Sequence, residues 1–293
     1  MTDQVFLNYT QDELDRNFDQ RAWVDDADQL LARHAQLSEQ TRQRLHHLPD
    51  IAYGTQVDEV LDYFPSSRAG APLVVFIHGG AWRHLTKADY SFVANAQRSA
   101  GIATVIPEFS KLPGATLPQL TAQIRRALHW TRLNAARLGA DSDNIHLLGH
   151  SSGAHLAMAA LTADGSEGTA FVRSITCISG IYDLGPVMLS ARRHYIDLSA
   201  DQVRQLSPQH QVHHVPCPAA IFFASRDSDE FQRQAREFSA GLRAAGRLTR
   251  MERFDANHYD VVDMLDNPQS PLSQALLQAM GMTAPGRDFI IQS

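Results

Sequence analysis

Residues 144–161 read Asn144-Ile-His-Leu-Leu-Gly149-His-Ser-Ser-Gly153-Ala-His-Leu-Ala-Met-Ala-Ala-Leu161. An apolar run rich in strand formers ends in Gly-x-Ser-x-Gly, and an alanine-rich, helix-prone run follows. That order predicts a strand, a sharp turn and a helix. A serine on such a strained elbow projects its Oγ above the edge of a sheet, and flanking glycines remove side chains that would crowd the turn. A helix that starts at the nucleophile also directs its free N–H groups and positive dipole end at any negative charge developing there. Ser151 is thus the candidate nucleophile, against the plain alternative of a glycine-rich turn without chemistry.

On either side of the elbow the chain alternates between short β-branched runs and helical stretches. Residues 73–77, 102–106, 145–148, 175–178 and 219–224 are apolar on both faces and bounded by Gly, Pro, Ser or Asp. Such runs suit buried parallel strands, with the intervening helices as crossovers. The clearest helix is predicted over 117–138, where Leu120, Ile124, Leu128, Thr131, Ala135 and Leu138 share one side and Gly139 supplies the stop. Its Arg125, Arg126, Arg132 and Arg137 suit a solvated outer face. Ahead of this core, residues 10–50 carry helical punctuation at Leu14, Phe18, Trp23, Leu30, Leu31 and Leu37, with no strand pattern. From Val57 to Phe64 the period becomes two, as in a two-faced strand. The expected organisation is one α/β domain over 55–293, with a mostly parallel sheet flanked by helices, and an N-terminal helical cap segment over 1–54 that is not independent.

A second motif follows the 73–77 strand: His78-Gly79-Gly80-Ala81-Trp82. A tetrahedral oxyanion needs two or three backbone donors about 3 Å away, and a glycine-rich loop exposes N–H groups without obstruction. Gly79, Gly80 and Ala81 are the candidate donors, joined by the N–H of Ser152. A triad in the order nucleophile, acid, histidine then assigns the base to His258, just beyond the strand-like residues 248–254. The acid belongs in the loop after the 219–224 strand. Asp227, nearest the strand end, is the first choice to orient His258, and Asp229 is the runner-up. Glu230 suits the first turn of a helix over 231–242. His155 reads as a packing histidine and His78 as a brace for the glycine loop. His210, His213 and His214 have no nearby Cys and no His-x-x-x-His face, so surface loops are favoured over zinc, and no metal is expected.

Composition narrows the partners. The 293 residues are 44% hydrophobic and 20% charged, an ordinary globular balance. Lys+Arg 26 against Asp+Glu 32 gives a formal charge of -6, so no global basic field favours nucleic acid or an anionic membrane. Only Lys87 and Lys111 are lysines, so 24 of the 26 basic residues are arginine. Cys177 and Cys217 sit in apolar stretches and read as buried free thiols of a reducing compartment. The opening residues, Met1 to Thr10, lack a basic n-region and an apolar h-region, and no run approaches a membrane span, so a cytoplasmic protein is expected.

His78-Gly-Gly-Ala-Trp82, Gly149-His-Ser-Ser-Gly-Ala-His155, Ser179-Gly-Ile-Tyr-Asp-Leu184, Asp227-Ser-Asp-Glu-Phe-Gln-Arg-Gln234 and Asn257-His-Tyr-Asp260 resemble the kynurenine formamidase (arylformamidase) type of α/β-hydrolase. The glycine and serine motifs are shared with the wider esterase and lipase superfamily, whereas the Asp227 stretch is narrower and matches the family's triad acid. The resemblance implies an α/β-hydrolase fold and no metal or organic cofactor. It departs at Pro107-Glu-Phe-Ser-Lys-Leu-Pro-Gly114, where a tyrosine and a Leu-Ala-Pro run are usual. It departs also at Ser152 for a common alanine and at Ala81 for a frequent tyrosine.

The expected activity is cleavage of an ester or an aryl N-acyl or N-formyl amide through a Ser-Asp-His triad and an acyl-enzyme, on a small-molecule substrate. Trp82 and Phe109 are candidates for an aromatic substrate wall, and Arg83 and Arg226 for contacts to an anionic substrate. Two alternatives remain: a general carboxylesterase of the hormone-sensitive-lipase kind, and a non-catalytic ligand-binding homologue. Acyl transfer to an alcohol or amine in place of water is also compatible with these residues, as is a homodimer.

Overall fold

The computed structural model describes residues 3–162 and 168–282. The chain opens with a short hairpin, β1 (Gln4–Phe6) and β2 (Tyr9–Thr10), then helices α1 (Gln11–Phe18) and α2 (Ala27–Arg44). Next come strands β3 (Leu48–Ala52), β4 (Val60–Phe64) and β5 (Ala71–Ile77), helix α3 (Ala94–Ser99), β6 (Ala103–Pro107), α4 (Leu117–Asn134) and β7 (Ala140–His150). The second half holds α5 (Ser152–Thr162), β8 (Val172–Ile178), α6 (Gly185–Leu189), α7 (Ala200–Leu206), β9 (Ala219–Ala224), α8 (Asp229–Ala244), β10 (Leu248–Phe254), α9 (Asp260–Asp263) and α10 (Pro271–Ala279).

Eight strands form one sheet in the order β10-β9-β8-β7-β5-β6-β4-β3. From β6 to β10 every neighbouring pair is parallel, and β4 and β3 complete the far edge antiparallel. Alternation along β5 explains the layering. Leu73, Val75 and Ile77 pack on one face with Leu120, Ile124 and Leu128 of α4, and with Phe231 and Phe238 of α8. Val74 and Phe76 join the opposite face with Val93, Ala94, Leu272 and Leu276. A strand apolar on both sides is what a helix-covered parallel sheet demands, and each such side chain contributes roughly 1.5–3 kcal/mol by leaving water.

Element boundaries depart from the sequence reading for local reasons. Helix α4 starts where expected, capped by Thr116, whose hydroxyl accepts from Gln119 N–H in a capping box. It stops at Asn134, and one further turn carries the chain to Gly139 at φ +78°. The strand expected from Val57 begins only at Val60, because Glu59 folds back and its carboxylate accepts the N–H groups of Thr55 and Gln56. Strand β3 lies before residue 54 and pairs with β4, so the sheet reaches into the stretch read as purely helical. No described helix is long and apolar enough to cross a membrane.

Candidate active site

The elbow between β7 and α5 puts Ser151 at φ +55°, in the left-handed region that L-residues occupy at a cost. The positions two residues to either side, Gly149 and Gly153, must be glycine because the backbone there is packed against itself. A Cβ on Gly149 would lie 2.6 Å from Ala154 Cα, and one on Gly153 only 2.2 Å from Ile77 O. The close approach of Gly153 to β5 is what sets the serine beside the glycine loop.

His258 lies in the loop after β10 with its Nε2 2.9 Å from Ser151 Oγ and its Nδ1 2.6 Å from Asp227 Oδ1. The second carboxylate oxygen of Asp227 accepts from Ser179 Oγ at 2.6 Å and from Ala224 N–H at 2.9 Å. All three residues are buried. Phe231 and Tyr259 meet the His258 ring edge-on, with centroids 5.2 and 5.7 Å away. His150 Nε2 donates to the His258 carbonyl at 3.0 Å, and burial followed by the His258 charge holds His150 well below the usual histidine range. A neutral imidazole therefore fixes the backbone of the residue expected to carry protons. Asp229, the runner-up acid, is exposed at the start of α8. Glu230 is buried in the first turn of that helix and pairs with Arg233.

The residues of the glycine loop sit in different surroundings. His78 Nδ1 lies 2.8 Å from Gly79 O, and its ring stacks on Phe109 at 4.4 Å. Burial and the nearby Lys111 charge lower the His78 pKa, and Glu108 takes Lys111 Nζ at 2.5 Å. The Tyr90 hydroxyl lies 3.4 Å from His150 Nδ1, behind the loop. Gly80 sits at φ +118°, where a Cβ would fall 2.0 Å from His84 O, so only glycine forms this turn. Gly80 and Ala81 both line a cavity of about 810 Å³ that also reaches Ser151 and His258. Ser152 heads α5, so its N–H is among the donors without an intrahelical acceptor, and its Oγ accepts from Trp82 N–H at 3.2 Å.

Two expectations for the cavity wall are corrected. Trp82 and Phe109 are not among the lining residues: each is 1% exposed and part of the core. The positive φ of Trp82, +62°, accompanies an indole that is buried with its Nε1 donating to His155 Nδ1. His155, held at a pKa of about 4 by burial, passes the bond on from Nε2 to Leu206 O at 2.9 Å. Phe109 is committed to the His78 stack. Arg83 does line the cavity, whereas Arg226 is exposed and paired with Asp255. The wall contains residues that no motif signalled: Phe18, Gln20 and Arg21 from the N-terminal segment, and Arg192 and Tyr195 from the excursion after β8. His210, His213 and His214 are exposed in turns. Cys177 and Cys217 are free and buried, and burial raises Cys217 to about 12.

The BD-FAE family pattern matches residues 61–183. Kynurenine formamidase of Danio rerio is 27% identical over 288 residues, covering 93% of this chain and 97% of that one. Esterase LipQ of Mycobacterium tuberculosis (strain ATCC 25618 / H37Rv) is 31% identical over 227 residues, 68% of this chain and 53% of its own length. Among solved structures, a provisionally named thioesterase from Silicibacter sp. TM1040 superposes with a TM-score of 0.78 at 26% identity, covering 89% of this chain and 97% of that one. The thermostable carboxylesterase EstE1, cloned from a metagenomic library, superposes at 0.68 with 20% identity over 85% and 96% of the two chains. The parallel sheet, the serine elbow and these likenesses agree: the chain has the α/β-hydrolase fold and is similar to kynurenine formamidases and to esterases of that fold.

Proposed function

We propose that this esterase- or amidase-type hydrolase works as a serine enzyme, with Ser151 as nucleophile, His258 as general base and acid, and Asp227 as the carboxylate that orients and stabilises His258. The observation that carries the reading is the unbroken relay from Asp227 Oδ1 through the His258 ring to Ser151 Oγ, at 2.6 and 2.9 Å, opening on a cavity. Ser151 Oγ attacks an ester or N-acyl carbonyl as His258 Nε2 takes its proton. The N–H groups of Gly80, Ala81 and Ser152 receive the oxyanion. The C–O or C–N bond then breaks as His258 returns the proton to the leaving alcohol or aryl amine. Water repeats the sequence on the acyl-enzyme and releases the acid.

The near full-length match to a kynurenine formamidase favours aryl N-formyl and N-acyl amides together with aryl esters. An aryl amine leaves more readily than an alkyl amine, so anilides should outrun peptides. The N-terminal residues through 54 act in this reading as a fixed cap, since Phe18, Gln20, Arg21 and Leu31 close one side of the cavity.

Hydrolysis of p-nitrophenyl acetate, N-formylaniline and a short aliphatic ester by the wild type and Ser151→Ala tests the proposal, alongside fluorophosphonate labelling. Loss of several orders of magnitude and of the label in the variant is expected. Near-normal turnover by Ser151→Ala overturns the assignment. Faster cleavage of the aliphatic ester than of the aryl substrates would instead favour a general carboxylesterase.

A further inference from the structure

Arg192 lies in the turn Ala191–His194 that follows α6, and it forms part of the wall of the Ser151 cavity. Its Nε and Nη2 both donate to the carbonyl of Phe18, at 3.0 and 2.5 Å. Its guanidinium carbon lies 5.5 Å from the Trp82 ring centre and 5.7 Å from that of Phe18. Among the described residues Arg192 makes no ion pair with a carboxylate, and its Nη1 is buried without a hydrogen-bond partner. Burial acts to lower its pKa, opposed by Tyr195 and Asp19.

A half-buried guanidinium with no carboxylate partner and one N–H group unsatisfied is costly, and its place in the wall of the cavity makes that wall complementary to an anion. A second guanidinium reinforces it: Arg83 lines the same cavity, is exposed, forms no ion pair among the described residues and sits 4.6 Å above the Tyr195 ring. The carboxylates of this wall are already engaged. Asp15 Oδ1 accepts from Ala191 N–H and Gln11 Nε2, and Asp19 Oδ1 accepts from Arg21 N–H. They also keep the local field only mildly positive, which favours a singly charged anion over a phosphate dianion.

We propose that Arg192, assisted by Arg83 at the rim, is a carboxylate-recognition subsite, so that preferred substrates carry one carboxylate on the part that fills this end of the cavity. The inference rests on the serine-hydrolase reading and goes beyond it by specifying the charge of the substrate. Arg192 acts in binding and discrimination; it takes no part in bond breaking.

The experiment compares two pairs of aryl esters, each an acid with its methyl ester. 4-Nitrophenyl hydrogen glutarate and its methyl ester place the charge on the acyl arm. 3-Acetoxybenzoate and its methyl ester place it on the leaving group. In at least one pair the wild type should favour the acid by about tenfold or more in kcat/KM, as a charge-assisted hydrogen bond allows. Arg192→Met should collapse that ratio towards one, mainly through KM, with Arg192→Lys intermediate. The ratio is taken within one preparation, so partial misfolding of a variant cannot mimic the result. Arg193→Met, at the exposed neighbouring position, should keep it. Ratios at or below one in both pairs for the wild type, or a ratio that survives Arg192→Met, overturn the proposal. Neutral esters would still be cleaved in either case, whereas absence of all ester cleavage and of fluorophosphonate labelling would instead overturn the serine-hydrolase reading.

Discussion

Ser179 Oγ donates to Asp227 Oδ2 at 2.6 Å while Asp227 Oδ1 faces His258, so the two oxygens of one carboxylate are divided between a fixed anchor and the relay. Ser179 reaches this position only because its backbone sits at φ +48°, directly after β8. Strain at that point is offset by the bond it makes possible. Without the hydroxyl, Ala224 N–H alone would hold the outer oxygen.

Ser179→Ala and Ser179→Gly should each lower kcat for aryl ester hydrolysis by about tenfold with little change in KM, because the proposed acid loses alignment and the cavity wall is untouched. The two should differ in stability: glycine accepts the positive φ, and alanine should be less stable by roughly 1 kcal/mol. Urea denaturation separates the effects. Unchanged kcat in both variants would show that the hydroxyl has no positioning role.

Asp227→Asn should cut kcat/KM by about 10³- to 10⁴-fold, since an amide cannot stabilise the imidazolium form of His258. Asp229→Asn should stay within about twofold, its exposed carboxylate offering only a helix-terminus charge effect of roughly 0.5 kcal/mol. The two variants measured side by side at neutral pH decide between the acids. A crippled Asp229→Asn beside an active Asp227→Asn would invert the assignment.

Features written in a local pattern were legible in the sequence. Residues 219–224 and 248–254 form strands over those spans, and the elbow and glycine loop stand at strand ends as their spacing implies. What was not legible depends on contacts distant along the chain. Ser179 opens a stretch that carries the family resemblance, but its bond to Asp227, 48 positions later, exists only once the fold brings the two together. Arg192 is one of 24 arginines, and only the fold puts it beneath Phe18 and beside Trp82. Trp82 itself misled: an aromatic next to a catalytic motif suggests a substrate wall, yet its left-handed backbone accompanies an indole buried in the core. Strand β3 was missed because its side chains are mostly exposed, leaving no apolar alternation to read.

Gly80→Ala and Gly139→Ala form a matched pair, since both glycines have positive φ. At Gly139 a Cβ meets nothing within 4 Å, so the cost is backbone strain alone, about 1 kcal/mol of stability with activity retained. At Gly80 the Cβ would collide with His84 O at 2.0 Å, so the loop backbone must shift to admit it. Ester turnover by Gly80→Ala should fall by about 10²-fold or more as oxyanion donors move. Wild-type turnover in a folded Gly80→Ala protein would remove Gly80 from the oxyanion site.

Acid should destabilise the fold well before carboxylates titrate, because buried histidines are kept neutral. Burial lowers His155 to about 4, and burial with the Arg173 charge lowers His146 to about 4, against 6.5 in the unfolded chain. Above pH 6.5 neither state binds the protons and stability is full. Between pH 6.5 and 4 the unfolded chain binds protons that the folded chain refuses, so stability falls as pH falls, by up to about 3 kcal/mol per histidine. His146 is bonded to Ser174 and Asn144 and is not among the residues lining the cavity. His146→Gln should therefore flatten part of this acid slope while leaving ester hydrolysis at pH 7.5 intact. Urea midpoints at pH 7.5, 6.5, 5.5 and 4.5 measure it, and a wild-type midpoint that stays constant down to pH 4.5 would contradict the burden assigned to these rings.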